Sequence, residues 1–204
     1  MSGRTAILEQ GTGHGTTDWM FERWDADQVR WASARMARAL PDRMLAEPVA
    51  RDFRDLKIRP YSVTGHHGNV ITNAGWQALL RAATSGASSP LIFSSTVGRL
   101  GVGDTAGSPA AADTDLAASA GATHRLFKFM AAAPVVGTTT NRTWTFVATF
   151  GSSDFNYAWA EFGIDSGTAD GTTVTAPLLN HANSAQGTKT SGQVWTSTAV
   201  LTFT

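Results

Sequence analysis

The chain has 204 residues, 42% of them hydrophobic, which is enough to bury a core in one domain or in one domain with an appendage. Sixteen basic and sixteen acidic residues cancel, so there is no electrostatic reason to expect a nucleic acid or an anionic membrane as partner, and no apolar run reaches the length of a transmembrane helix. With no cysteine, disulfides, thiolate metal sites and cysteine nucleophiles are excluded together, and the N-terminus lacks the basic segment and apolar core of a secretory signal.

Charge is unevenly spread. Residues 1–60 hold ten Lys/Arg and nine Asp/Glu, and the rest of the chain holds six and seven. This predicts a boundary near residue 60 between a docking segment and a β-domain over 61–204. Residues 1–16 show no periodicity and read as an extended arm; Gly11-Thr12-Gly13-His14-Gly15 lacks the Lys-Ser/Thr of a phosphate loop. Thr17 or Asp18 caps a predicted helix to about Leu40, with Trp24 and Trp31 a heptad apart and Pro41 as its stop. Pro48 suits the start of a short helix carrying Val49, Phe53 and Leu56.

Lys57 to Val63 reads as an edge strand or linker interrupted by Pro60, and Gly65-His66-His67-Gly68 as a turn whose adjacent histidines lack zinc-site spacing. Thr72-Asn73 caps a helix over 74–84 with Trp76, Leu79, Leu80 and Ala83 as its buried stripe. Beyond it the signals are β: 91–93, 99–103, 124–130, 143–150, 157–165, 178–179 and 193–204, separated by turn clusters. The expected architecture is mainly β with an α-helical N-terminal part, an antiparallel sandwich or barrel-like module with one packed helix.

Candidate chemistry is sparse. Asp104, Asp113 and Asp115 invite calcium, but the spacing is not that of an EF-hand, and capping of turns is the better reading. Glu161 stands in the most aromatic run, Tyr157 to Asp165, and paired-carboxylate hydrolysis would need a second acid. Asp165 lies on the same face about 13 Å along the strand. No Gly-x-Ser-x-Gly elbow occurs. These residues predict no enzyme, no metal and no cofactor. Alternation places Glu161 beside Trp159 on one face, as a buried latch bonded to backbone N–H groups, a hydroxyl or a basic side chain such as Lys189 or His181.

Six short pieces carry a resemblance over residues 70–204. They are Ile71-Thr72-Asn73-Ala74-Gly75, Leu100-Gly101-Val102-Gly103-Asp104, Asp113-Thr114-Asp115-Leu116, Trp159-Ala160-Glu161-Phe162-Gly163-Ile164, Leu178-Leu179-Asn180-His181 and Gly187-Thr188-Lys189. In this order the chain resembles small virion proteins of tailed bacteriophages, of the tail-fibre, collar or minor tail type, in which an arginine often stands at the place of His181. The resemblance implies a β-module that assembles into a virion in the host cytoplasm and performs no catalysis. Its partners would be other virion proteins and copies of itself, with closed symmetry such as a trimer. Trp19, Phe21, Trp24 and Trp31 are the expected apolar anchors of that assembly. A capsid decoration protein and a module binding a host surface glycan are the alternatives.

Overall fold

The computed structural model describes residues 15–39, 47–85, 93–94, 96–130, 132–137, 143–174 and 177–203. The expected arm up to residue 14, the Pro41 stop and the strand at 91–92 lie outside them. The chain runs β1 (Gly15–Trp24), α1 (Ala26–Ala39), α2 (Ala50–Asp55), β2 (Ser62–His67), β3 (Val70–Ile71), α3 (Asn73–Ser85) and β4 (Arg99–Gly103). It continues with β5 (Arg125–Phe129), β6 (Val135–Val136), β7 (Thr143–Phe150), β8 (Ala158–Asp165), β9 (Asn180–Thr188) and β10 (Val194–Phe203). The strands form two antiparallel five-stranded sheets, β2-β1-β10-β7-β6 and β3-β9-β8-β4-β5, and do not close into a barrel.

One apolar core is shared by both sheets. Trp19 and Phe21 of β1 meet Phe162 of β8, with ring centroids 5.4 and 4.7 Å apart, and Trp159 packs on Phe150 and Trp195. Polar side chains also tie β1 to β9. Asn180 Nδ2 donates to Thr17 Oγ1 at 3.1 Å, and Arg23 donates to the Gln186 carbonyl at 2.9 Å while its guanidinium lies over the Trp195 ring. These pairings need Thr17, Trp19, Phe21 and Arg23 on one face, which is a period of two.

That period corrects the first predicted helix. Residues 15–24 are a strand paired over ten positions with β10 and on its other side with β2. The helix starts only at Ala26, where Asp25 and Gln28 form a capping box: Gln28 N–H donates to Asp25 Oδ1 at 2.8 Å and Asp25 N–H to Gln28 Oε1 at 3.0 Å. Trp19 and Phe21 therefore lie in the shared core. Trp24 stacks on Phe53 in a second cluster under α1 and α2. None of the three is on a docking surface, and the change in charge density near residue 60 is no domain boundary, because β1 belongs inside the sheet. Trp31 alone of the four expected anchors is open, at 46% exposure.

Smaller corrections follow the same logic. Gly65 to His67 is the end of β2, not a turn, and the chain reverses after it at Gly68, whose φ is +104°. Helix α3 does begin at Asn73, with Thr72 Oγ1 accepting the Gly75 N–H at 2.9 Å, but Leu80 is 63% exposed and Ala78 takes its place on the buried side. Strand β9 was not expected beyond Leu179, since Asn-His-Ala-Asn-Ser-Ala-Gln has no apolar alternation.

Truncating Trp19 to alanine should cost about 3–5 kcal/mol of unfolding free energy, the range for a large aromatic in a packed core. The exposed Trp31→Ala should stay within about 0.5 kcal/mol. Urea denaturation followed by circular dichroism measures both, and equal effects would refute the placement of β1.

Candidate functional site

Glu161 sits on β8, whose pairing with β9 shifts register between Trp159 and Glu161. Residues 184–186 of β9 stand opposite Ala160 alone, and the alternation of β8 reverses across this irregularity. Trp159, Phe162 and Ile164 all enter the shared core, while Glu161, Gly163 and Asp165 face the opposite side of the sheet. Glu161 does not share a face with Trp159, contrary to the simple period-two expectation.

On that outer face a strap of residues 104–121 crosses the sheet. Glu161 holds it: Ala117 N–H donates to Oε2 at 2.8 Å and Ala118 N–H to Oε1 at 2.6 Å. His181 Nε2 lies 2.9 Å from Oε2, and its Nδ1 lies 2.7 Å from Asp113 Oδ2 in the same strap. Asp113 also accepts the Ala110 N–H at 2.7 Å, and Asn183 Nδ2 donates to the Gly107 carbonyl at 2.7 Å. The strap can lie this close because Gly103 and Gly163 carry no side chain. A Cβ at Gly103 would press on Ala118 Cβ at 2.9 Å, and one at Gly163 on Leu116 Cδ2 at 3.1 Å.

A second pair fastens the neighbouring loop. Arg99 and Asp165 form a buried ion pair, and Arg99 donates to the carbonyls of Ala169 at 3.1 Å and Thr173 at 3.0 Å. Arg125 bonds Asp115 at 2.7 Å and the carbonyls of Ala118 at 3.1 Å and Thr172 at 2.5 Å. Both guanidiniums flank the Phe127 ring, centred 4.9 and 5.8 Å from it. Asp165 is thus engaged by a cation on its own side of the sheet and is not a second acid for Glu161.

Of the expected latch residues, the fold unites Glu161 with His181 and leaves Lys189 elsewhere. Lys189 Nζ donates to the Gly151 carbonyl at 2.6 Å and to Asn156 Oδ1 at 2.8 Å. Burial pulls its pKa down to about 8 against the opposing pull of Asp154 and Glu47. Asp104, Asp113 and Asp115 are dispersed onto His124, His181 and Arg125, and among the described residues no group of three or more His, Asp or Glu side chains could hold a metal. The arginines were the missed members. Their sequence signal is that Arg99 and Arg125 are two of only six cations after residue 60 and each opens an apolar strand. No family model, curated protein or solved structure matches this chain.

The site titrates in a defined direction. Burial opposes the charged form of His181, but the hydrogen bonds it donates to Glu161 and Asp113 outweigh it and raise its pKa above 6.5. Burial pushes the Asp113 carboxyl up, yet the His181 and Ala110 hydrogen bonds hold it below 3.8. A raised histidine contributes stability that is complete below 6.5 and is lost as pH rises through its folded pKa. A depressed carboxyl contributes stability present above 3.8 and lost as pH falls through its folded value. The latch is therefore strongest between those limits. The stability difference between the native chain and His181→Gln should shrink as pH rises above 6.5, as read by urea unfolding across pH. Glu161→Ala, which strands the buried Ala118 N–H and releases that of Ala117, should cost at least about 2 kcal/mol in the same assay.

Proposed function

We propose that this chain is a non-enzymatic structural protein of a tailed-bacteriophage particle, a tail, baseplate or fibre-attachment component that works by assembling with itself and with neighbouring virion subunits. The observation that carries this reading is spatial. Five of the six pieces on which the phage resemblance rests meet around one clamp. Thr72 N–H donates to the Leu179 carbonyl at 3.1 Å, Gly103 makes room for Glu161, the strap from Asp113 to Ala118 sits on Glu161, and His181 joins the two acids. A motif set spent mainly on fastening connecting segments to a sheet suits a rigid particle component. Glu161, the acid a hydrolase would need, is wholly occupied within it.

Trp31 supplies the assembly surface in this reading. Helix α1 buries only Val29 and Ala32, and no residue from Ser33 onward is buried. Trp31, Arg35 and Arg38 follow one another at helical spacing along that outer part, with the Arg35 guanidinium 4.7 Å from the Trp31 ring. Tryptophan and arginine are the residue types that most often dominate interface energetics.

Purified particles tested by mass spectrometry should contain the chain in a fixed ratio to the major capsid protein. Trp31→Ala should lower its incorporation by about tenfold with the unfolding midpoint unchanged. Absence of the chain from purified particles would refute the reading, and a position on the head shell would replace a tail role by decoration.

A further inference from the structure

The loop from Gly151 to Tyr157 is built more rigidly than a connection between two strands requires. Gly151 N–H donates to Asp154 Oδ2 at 2.8 Å, Ser152 N–H to Glu47 Oε1 at 2.7 Å, and Asn156 Nδ2 to the Ser152 carbonyl at 3.1 Å. The fully buried Lys189 ammonium grips the loop from beneath through Gly151 and Asn156. Phe155 is held at φ +39°, a left-handed conformation that strains a non-glycine residue. Its ring is buried as an anchor, and Tyr157 beside it is 40% exposed. Strain and fastening of this kind fix a surface in advance.

That surface is one wall of a concavity of about 440 Å³, lined by Thr123, Leu126, Ser153, Asp154, Asn156 and Tyr157 together with the backbone of the loop. The volume lies in the range of small-molecule sites. Its chemistry narrows the class of ligand. Lys128 bonds Asp154 at 2.8 Å and Asp170 at 2.7 Å, so the one carboxylate of the wall is ion-paired within the protein and the wall presents no unpaired charge to an ion. Among the described residues Asp154 Oδ1, the Tyr157 hydroxyl and the second N–H of Asn156 have no partner. Acceptors and donors thus stand next to an aromatic ring and a leucine. A ligand that matches this mixture is neutral, rich in hydroxyls and apolar on one face.

We propose that the concavity between residues 122–126 and 153–157 is a carbohydrate subsite that takes a neutral pyranose. The Tyr157 ring stacks on the apolar face of the sugar, and Asp154 and Asn156 bond adjacent hydroxyls. The site stands on its own geometry and does not depend on where the module sits in a particle.

Saturation-transfer NMR on the full chain, with the methyl glycosides of glucose, galactose, mannose and N-acetylglucosamine as neutral probes and that of sialic acid as the charged one, tests this. At least one glycoside is expected to show transfer, and in a 15N–1H titration with it the amide shift changes should be confined to 122–126 and 153–157. Tyr157→Ala should weaken that binding by about tenfold, while Tyr157→Phe should stay within about threefold, because the ring face carries the contact. Unfolding midpoints of both variants serve to confirm an intact fold. Absence of transfer to every neutral glycoside, a preference for sialic acid over all of them, or binding undiminished by Tyr157→Ala would overturn the proposal.

Discussion

A carboxylate taken out of water survives only if its lone pairs are filled, and Glu161 fills them with two strap N–H groups and the His181 ring. Much of the outer layer depends on this contact. The strap of residues 104–121 has few large apolar side chains, with Leu116 as its main buried one, so hydrophobic burial alone holds it weakly. Hydrogen bonds to a charged acceptor contribute roughly twice what neutral ones do. The strap is therefore fastened by charge, through Glu161, Asp113 and Arg125.

The same economy recurs on the rest of that face. Arg99 and Asp165 form a pair whose desolvation offsets much of its attraction, so the pair adds little net stability over an apolar substitute. Removing one partner alone would leave a buried charge and cost several kcal/mol. What such pairs provide is a single geometry. Arg99 orders the 166–173 loop through two carbonyls, and Arg125 orders the strap and the Thr172 backbone together. The two sheets divide the labour: the inner faces stabilise by aromatic packing, and the outer face of the β4–β8–β9 sheet specifies where loops lie.

This division gives the module a surface whose loops are set before any partner arrives. Preorganised loops lose less entropy on association than loose ones, which suits both assembly and ligand binding. Helix α1 is the exception on the surface, since its outer turns are without a buried residue and carry Trp31, Arg35 and Arg38 outward.

Much of this was legible in the residues themselves. Alternation identified β4, β5, β7, β8 and β10, Thr72-Asn73 marked the start of α3, and a carboxylate amid aromatics at Glu161 demanded partners such as backbone N–H groups and His181. Three things were not legible, each for a physical reason. Residues 15–24 satisfy both a period of two and a loose helical spacing, and only ten pairings with β10, at the far end of the sequence, choose the strand. The faces of β8 follow from a bulge whose extra residues lie on β9 and leave no signature in β8 itself, so Glu161 and Trp159 part company only when β9 is in register. Charge partners are fixed by the path of the straps, and local sequence cannot tell that Lys189 lies under the 151–157 loop while Arg99 and Arg125 hold the outer face. The sequence by itself determined most of the strands after residue 98 and which acid must be paired, because local alternation and burial of a charge are read from neighbouring residues. Tertiary structure alone decided what each one faces, because long-range register sets it.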